Sequence, residues 1–407
     1  MRAADAGFGG VVEAVRDRLA REGTPPDPPA VAAAARAEGV VLGAADLLRL
    51  LDGVGAALTG AGRLQPLLEA PGTTDVLVNG GGAVWVDDGA GLRRADLSLA
   101  GEDEVRPLAV RLAAGAGRRL DEASPFVDAR LPDGTRLHAV LPPLAPAGTH
   151  LSLRVPAVRR LGFDELERSG AVPPGFGPVL RAVVAGRLSL LVSGGTGTGK
   201  TTLLQALLGL VAPSERIVLV EDAGELRPEH PHVVHLEARH GNVEGRGAVG
   251  LDDLVRQALR MRPDRLVVGE CRGAEVRDLL AALNTGHAGG AGTVHANTAS
   301  DVPVRLHALA ATAGVAPAVV DAQLLAGVDV VVHVDRRGGT RAVAEVGVVD
   351  RHDGRVGVVP AIVRGPAGAC RASGFARLHD RLGPGTWTDG VPADLAADPA
   401  AHLEALP

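Results

Sequence analysis

The sequence predicts an α/β protein in which a mainly parallel sheet flanked by helices follows a smaller α+β domain and a helical N-terminal segment. Between residues 179 and 365, short apolar runs alternate with stretches of helical periodicity, which is typical of a parallel sheet covered by helices. Between residues 71 and 155, two pairs of alternating segments each enclose a Gly-containing turn, which is typical of antiparallel hairpins. Hydrophobic residues make up 46% of the 407 positions, enough for a sizeable core.

The first part of the chain is predicted to hold a helical segment and the α+β domain. Residues 1–70 are rich in Ala, Leu and Arg and should form helices, which the proline cluster at 25–29 interrupts. Residues 71–155 should form the α+β domain. It should contain two hairpins, at 76–86 and 126–140. A helix at 102–114 and a further strand at 150–155 complete the prediction. A linker rich in Pro and Gly is expected at 156–178.

The larger domain is predicted to extend from residue 179 to 365. Five apolar runs are expected to form its strands, at 188–192, 216–221, 233–236, 265–270 and 292–296. Helices are expected near 201–211, 251–261, 273–284, 302–313 and 316–326. Three further runs should close the sheet as antiparallel strands, at 328–334, 341–349 and 355–363. Residues 366–407 lack sustained periodicity and are expected to form a variable, irregular tail.

A glycine-rich loop joins the first of these strands to the helix after it. The pattern G-x-x-x-x-G-K-T, starting at Gly194, lies between an apolar run and a helix-forming run, the context that a phosphate-binding loop requires. Its glycines allow backbone N–H groups to turn towards phosphate oxygens, and the helix N-terminus adds a partial positive charge. Lys200 should reach the β and γ phosphates, and the Thr201 hydroxyl should bind Mg²⁺. The predicted nucleotide-binding residues are Gly194, Gly195, Thr196, Gly197, Thr198, Gly199, Lys200, Thr201 and Thr202.

Two of the apolar runs end in acids. One ends in Glu270, and another ends in Glu221, which Asp222 follows. Since parallel sheets place their ligands at the carboxyl ends of strands, these carboxylates should face the loop. There they could bind Mg²⁺ or accept a proton from an attacking water. The alternative is that the acids only cap the helices that follow.

Histidines and arginines form a third, less specific group. The segment 286–297 is rich in glycine before a short strand, which suggests a loop beside the site with His287 and His295 near the γ phosphate. Either histidine could equally be structural, and neither has companions at zinc-ligand spacing. Arginines commonly stabilise charge at a γ phosphate. The candidates, which spacing alone does not rank, are Arg130, Arg136, Arg154, Arg239, Arg246, Arg256, Arg260 and Arg262.

The composition disfavours several classes of protein. A net charge of −6 and an aromatic content of 2% argue against a nucleic-acid surface built on basic and stacking side chains. The two cysteines have neither metal-site nor disulfide spacing, which fits a reducing compartment. We find no secretory signal and no uncharged run of membrane-spanning length. We therefore expect a cytoplasmic protein that meets a membrane only through partners.

Ordered motifs along more than half of the chain resemble those of a known family. They lie at 74–80, 117–134, 139–143, 193–202, 220–226, 242–247, 254–265, 269–275, 284–287 and 293–297. Together they resemble the secretion ATPases of the type II/type IV superfamily, most of all the CpaF- or TadA-like tight-adherence branch. A related actinobacterial group, found near conjugation-like genes, has similar sequences. Departures from the family pattern are Ala-Gly-Gly at 288–290 and Cys271 in place of a small aliphatic residue.

The resemblance implies a homohexameric ring in which each subunit binds ATP and Mg²⁺ between an N-terminal domain and a RecA-like C-terminal domain. It implies that Glu221 and Glu270 share water activation and metal positioning, in roles that stay open. His287 and His295 would sense the γ phosphate, and Arg154 would lie over the nucleotide. The ring would act on inner-membrane platform proteins that assemble a pilus or export a protein. The alternatives are a DNA-transfer or other nucleic-acid motor and a regulatory module without turnover.

Overall fold

The computed structural model divides into two compact units, residues 1–158 and 159–407. It describes residues 8–22, 24, 27–40, 43–58, 60–89, 91–156, 161–222, 224–239, 247–271, 273, 275–284, 288–337, 339–352, 354–366 and 368–383. Among these residues, every helix is too short or too polar to cross a bilayer.

The N-terminal segment is helical, as predicted. Its long helices are α1 (Phe8–Glu22), α2 (Pro28–Ala37) and α3 (Ala44–Leu58), which share a small core of their own that includes Val15, Leu19 and Leu50. Of the proline cluster at 25–29, residues 25 and 26 lie outside the described residues. Pro28 begins α2, where the Asp27 carboxylate accepts a hydrogen bond of 2.8 Å from the Ala30 N–H. A short 3₁₀ turn (Gly62–Leu64) and α4 (Gln65–Glu69) lead into the next domain.

The α+β domain is a six-stranded sheet in which every neighbouring pair is antiparallel. Helix α5 (Glu102–Gly115) contacts the sheet, and its apolar side chains join the sheet core. Both predicted hairpins are confirmed. The edge strand β3 escaped prediction because most of its side chains are exposed, which removes the alternation of a half-buried strand. The strands are β1 (Asp75–Asn79), β2 (Ala83–Asp87), β3 (Leu92–Ser98), β4 (Phe126–Arg130), β5 (Arg136–Val140) and β6 (His150–Arg154).

The second unit is built on a nine-stranded sheet. Its strands are β7 (Leu190–Gly194), β8 (Ile217–Glu221), β9 (Val233–Glu237), β10 (Arg265–Cys271), β11 (Ala291–His295), β12 (Val330–Arg337), β13 (Thr340–His352), β14 (Arg355–Gly365) and β15 (Gly368–Arg371). The spatial order is β15-β14-β13-β12-β7-β11-β10-β8-β9. All pairs from β12 to β9 are parallel, and the pairs from β12 to β15 are antiparallel.

Helices cover both faces of this sheet, and each face has its own apolar core. Strands β7 and β8 are buried along their whole length, which explains why they appear as continuous apolar runs. Each fully buried Val or Leu side chain contributes about 1.5–3 kcal/mol. The helices are α6 (Phe163–Arg168), α7 (Phe176–Ala185), α8 (Lys200–Leu208), α9 (Leu251–Ala258), α10 (Val276–Leu283), α11 (Val302–Thr312), α12 (Pro317–Gly327) and α13 (Phe375–Leu382).

Two expectations about this unit are wrong. The segment 161–178, assigned to a linker, holds α6 and the start of α7, and Phe163 is buried in the core. The tail expected after 365 is regular as far as residue 383, because β15 pairs with β14 and Leu378 of α13 is buried. These segments are too short to show periodicity, and distant contacts decide their structure. Strand β12 pairs antiparallel with β13, as expected, and is parallel to β7 on its other side.

Candidate functional site

The phosphate-loop motif, Glu221, Glu270 and His295 lie at the carboxyl edge of the nine-stranded sheet. In the strand register Gly194 of β7 pairs with His295 of β11, and Thr293 of β11 pairs with Glu270 of β10. Strand β8 runs beside β10 in the same direction and ends at Glu221. The loop and both acid-bearing strands therefore end at one edge, where open α/β sheets bind ligands.

The phosphate-loop motif has the backbone that its glycines predict. Gly197 and Gly199 have φ of 69° and 98°, in the left-handed region, and α8 starts directly afterwards. The Thr198 hydroxyl donates a hydrogen bond of 3.0 Å to the Gly195 carbonyl. Gly194 has to be a glycine for a second reason, since a Cβ there would collide with the main-chain oxygen of Val334 in β12.

Lys200 ends the glycine-rich part of the motif as the first residue of α8, and it is only 7% exposed. Its ammonium group donates to the carbonyls of Gly194 and Gly195, at 3.1 and 2.9 Å, and lies 3.3 Å from Nε2 of His295. Lys200 is also the only lysine in the sequence. A chain that otherwise uses arginine keeps a compact, three-donor ammonium at the one position where a phosphate loop requires it.

Glu270 contacts the same histidine. Its Oε1 lies 2.7 Å from Nε2 of His295, and both side chains are partly exposed, at 22% and 28%. The register of β10 against β11 shifts between Val268 and Glu270, which marks a bulge next to the acid. His295 thus joins the loop lysine to the acid at the end of β10.

Glu221 lies in a more secluded position than Glu270. The residue is 4% exposed, and its Oε1 accepts hydrogen bonds of 3.0 Å from the N–H groups of both Glu225 and Leu226. Burial raises the pKa of Glu221 from 4.5 to about 7. Its side chain crosses Gly269 of β10, where an added Cβ would come within 2.7 Å of its Cγ. The capping alternative is wrong for Glu221, because the next described element is the strand β9 and its carboxyl holds the turn after β8 instead of a helix.

The remaining predicted residues are placed unevenly. Asp222 is exposed next to Glu221. Arg154 belongs to the first unit, where it is 68% exposed and its Nε lies 3.0 Å from Asp75 Oδ1. Arg246 and His287 lie outside the described residues. The glycine-rich loop was expected beside the site, but its residues 288–290 lie at the opposite, amino edge of the sheet. There the Gly290 carbonyl accepts a hydrogen bond from the N–H of Leu190, the first residue of β7.

The sequence reasoning missed a buried histidine behind the loop. His333 of β12 is 6% exposed, and its Nδ1 lies 2.9 Å from the hydroxyl of Ser193, the residue before Gly194. The available signal was a single histidine inside the apolar run 330–334. An isolated polar residue in a fully buried strand needs a hydrogen-bonding partner.

The predicted Mg²⁺ ligands are compatible with that ion. Within the described part of the chain, no group of three or more His, Cys, Asp and Glu side chains could hold a metal by itself. Thr201, in the first turn of α8, offers a hydroxyl, and Glu270 offers a carboxylate at the same edge. A hydroxyl and one carboxylate suit Mg²⁺, which usually keeps several waters and takes its other oxygens from phosphates.

The fold and this edge define an α/β protein whose largest sheet carries a complete phosphate-loop motif. The family described as "Type II/IV secretion system protein" matches residues 57–355, and the chain belongs to it. A putative conjugal transfer protein of Mycobacterium tuberculosis (strain H37Rv) is 54% identical over 349 residues, covering 84% of this chain and 98% of that protein. The type IV secretion system protein PtlH of Bordetella pertussis is 36% identical over 266 residues, covering 60% of this chain and 78% of PtlH.

Two solved structures share the fold. The pilus retraction motor PilT, with bound ADP, has a TM-score of 0.52 at 23% identity, covering 71% of this chain and 83% of PilT. The Legionella pneumophila ATPase DotB has a TM-score of 0.50 at 19% identity, covering 71% of this chain and 80% of DotB. The family match confirms the expected superfamily, whereas the tight-adherence branch is a finer assignment than these relatives support.

Proposed function

We propose that this chain is a Mg²⁺-dependent ATPase whose hydrolysis cycle powers a secretion or conjugation machine of the type II/IV class. The single observation that carries the proposal is the contact of Lys200 and Glu270 with one histidine, His295, at the mouth of the phosphate loop. A cation for the phosphates and an acid for the metal or the water are thereby brought to one place. The fold shared with motor ATPases supports the same conclusion.

In this proposal each residue has a distinct task. When ATP binds, the Lys200 ammonium gives up its bonds to the loop carbonyls and binds the β and γ phosphates. The backbone N–H groups of the loop bind the same phosphates. Thr201 and Glu270 would hold Mg²⁺, which would neutralise charge on the phosphate oxygens. Glu221 or Glu270 accepts the proton of the attacking water. The raised pKa of Glu221 suits that role, because a base works best when its pKa lies near the working pH.

The larger assembly is also a proposal. The second unit acts as a RecA-like motor domain in a homohexamer that binds inner-membrane platform proteins from the cytoplasmic side. Arg154 and Arg246 are further candidates for stabilising charge at the γ phosphate. The exported substrate is a pilin or another protein, reached through the platform. The finer proposal that the machine is of the tight-adherence type rests on the sequence motifs that resemble that branch.

A DNA-transfer machine is the second candidate. It is favoured by the 54% identity to the putative conjugal transfer protein. The scarcity of aromatic residues, 2% of the chain, favours an indirect role, in which the ATPase drives a channel and other subunits bind DNA. Stimulation of phosphate release by single- or double-stranded DNA would favour direct action on DNA.

The decisive experiment uses the single lysine. An acyl-phosphate derivative of ATP transfers its acyl group to a nearby amine, and Lys200 is the only side-chain amine in the sequence. We expect one adduct on intact protein, mapped to Lys200 and suppressed by excess ATP. We expect steady phosphate release by the parent protein with Mg²⁺ and none by Lys200→Ala. Labelling that ATP does not suppress, or equal turnover by Lys200→Ala, would refute the assigned site.

A further inference from the structure

His333 makes two connections, the first of which fixes the start of the phosphate loop. In the register of β12 against β7, His333 is directly opposite Ser193, and its Nδ1 lies 2.9 Å from the Ser193 hydroxyl. The next residue, Val334, places its carbonyl oxygen against Gly194, where only a glycine fits. Two consecutive residues of β12 therefore contact the last two residues of β7, at the point where the loop begins.

The second connection reaches the strand that carries His295. The His333 ring also lies close enough to the backbone of Asn297, two residues beyond His295, for a hydrogen bond that favours the protonated ring. A bond with that effect is one that a carbonyl accepts from a ring N–H. Burial is the largest influence on the pKa of His333 and lowers it. It outweighs both the Asn297 bond and the negative charge of nearby Asp335, which favour the protonated ring. The ring is therefore neutral at pH 7.

A neutral imidazole has one donor and one acceptor, and this site uses both. If the N–H that bonds Asn297 is on Nε2, then Nδ1 accepts the hydrogen of the Ser193 hydroxyl. The imidazole is then a rigid spacer between the end of β7 and the end of β11. Lys200 follows the loop after β7, and its partner His295 ends β11. The spacer therefore fixes the start of the loop relative to the end of β11, and with it the positions of both side chains.

We infer that His333 is a positioning residue that sets the phosphate loop and the His295 segment at the distance that ATP turnover requires. This role rests on the proposed ATPase function. It predicts that the two bonds can be separated, because each controls a different step. The bond to Ser193 should govern nucleotide affinity through the loop. The bond to Asn297 should govern turnover through His295.

Three variants separate the two bonds. His333→Gln keeps a donor near the position of Nε2 and loses the acceptor for Ser193, and Ser193→Ala removes the same bond from the other side. Both should raise the dissociation constant of fluorescent ATP about threefold to tenfold, the range expected for one hydrogen bond. His333→Asn keeps a polar atom near Nδ1 and loses the bond to Asn297. It should lower kcat by about threefold to tenfold and change the dissociation constant less than about twofold.

The matched control is His307→Asn. His307 of α11 pairs with Asp321 of α12 through a contact of 2.7 Å, so its loss removes a histidine bond of the same kind from the same unit. His307→Asn should lower the thermal midpoint and leave both constants unchanged. A merely structural His333 would give three variants whose activity follows only the folded fraction, and that result would overturn the inference. If the parent binds ATP without releasing phosphate, the ATPase proposal fails, while the affinity of Ser193→Ala still tests the positioning of the loop.

Discussion

His295 Nε2 lies 2.7 Å from Oε1 of Glu270. The same nitrogen is 3.3 Å from the ammonium of Lys200, which can only donate. With a hydrogen on Nε2, the histidine donates to Glu270 and cannot accept from Lys200. Without it, the histidine accepts from Lys200 and leaves the carboxylate without that donor. The position of Lys200 and the hydrogen bonding of Glu270 are therefore linked through one atom.

We expect His295→Ala to separate nucleotide binding from turnover. The phosphate loop and Lys200 stay in place in this variant, so the affinity for ATP should change less than about threefold, within the range of one hydrogen bond. Phosphate release should fall about 10²-fold, since Glu270 loses the partner that orients it. Binding is measured with fluorescent ATP and turnover with a phosphate assay. Turnover close to that of the parent would show that the contact is incidental.

Glu270→Gln should give a related phenotype for a different reason. The amide preserves the size of the side chain but cannot accept a proton, and it is a weaker ligand for Mg²⁺ than a carboxylate. We expect ATP to bind and phosphate release to fall at least about 10²-fold. Titration of Mg²⁺ in the same assay distinguishes the two causes. Recovery of the rate at high Mg²⁺ would assign Glu270 to the metal alone.

The buried carboxyl of Glu221 should make stability depend on pH. Its pKa in the folded protein is raised by burial from 4.5 to about 7, so folding favours the protonated form. That stability is complete below the unfolded pKa and is lost as the pH rises through about 7. Glu221→Gln removes this titration. By urea unfolding, it should match the parent near pH 5 and exceed it by roughly 1–3 kcal/mol near pH 8.

Glu345 of β13 offers a matched control for that experiment. Burial raises the pKa of Glu345 from 4.5 to about 7 as well, so Glu345→Gln should show the same gain in stability at high pH. The two variants should differ in activity. If Glu221 accepts the proton of water, kcat of the parent rises with pH through about 7, and only Glu221→Gln abolishes the rise. A rise that persists in Glu221→Gln would remove Glu221 as the base.

Gly269→Ala tests whether the space over β10 is needed for Glu221. A Cβ at Gly269 would lie 2.7 Å from Glu221 Cγ, so either the carboxyl or the strand has to move. We expect a loss of about 1–3 kcal/mol in the free energy of unfolding, together with reduced turnover. Gly357→Ala in β14 is the control, since an added Cβ there meets nothing within 4 Å. Equal effects of the two substitutions would contradict the steric argument.

Local patterns were sufficient for much of the site. The loop from Gly194 to Thr202 could be identified because its glycines, its lysine and its flanking strand and helix are contiguous in sequence. Glu221 and Glu270 could be placed at one edge because buried parallel strands are apolar throughout and end together. The same reasoning failed for residues 288–290, since glycine content does not tell which end of a strand a loop occupies.

The sequence alone determined the α/β class, the phosphate loop and the edge of the sheet where its ligands belong. These depend on neighbouring residues and on the periodicity of burial. Only the tertiary structure decided that His295 lies between Lys200 and Glu270, that Glu221 packs against Gly269, and that His333 contacts Ser193 where the loop begins. Lys200 is 95 positions from His295, and Ser193 is 140 from His333, so packing of the sheet rather than local pattern brings them together.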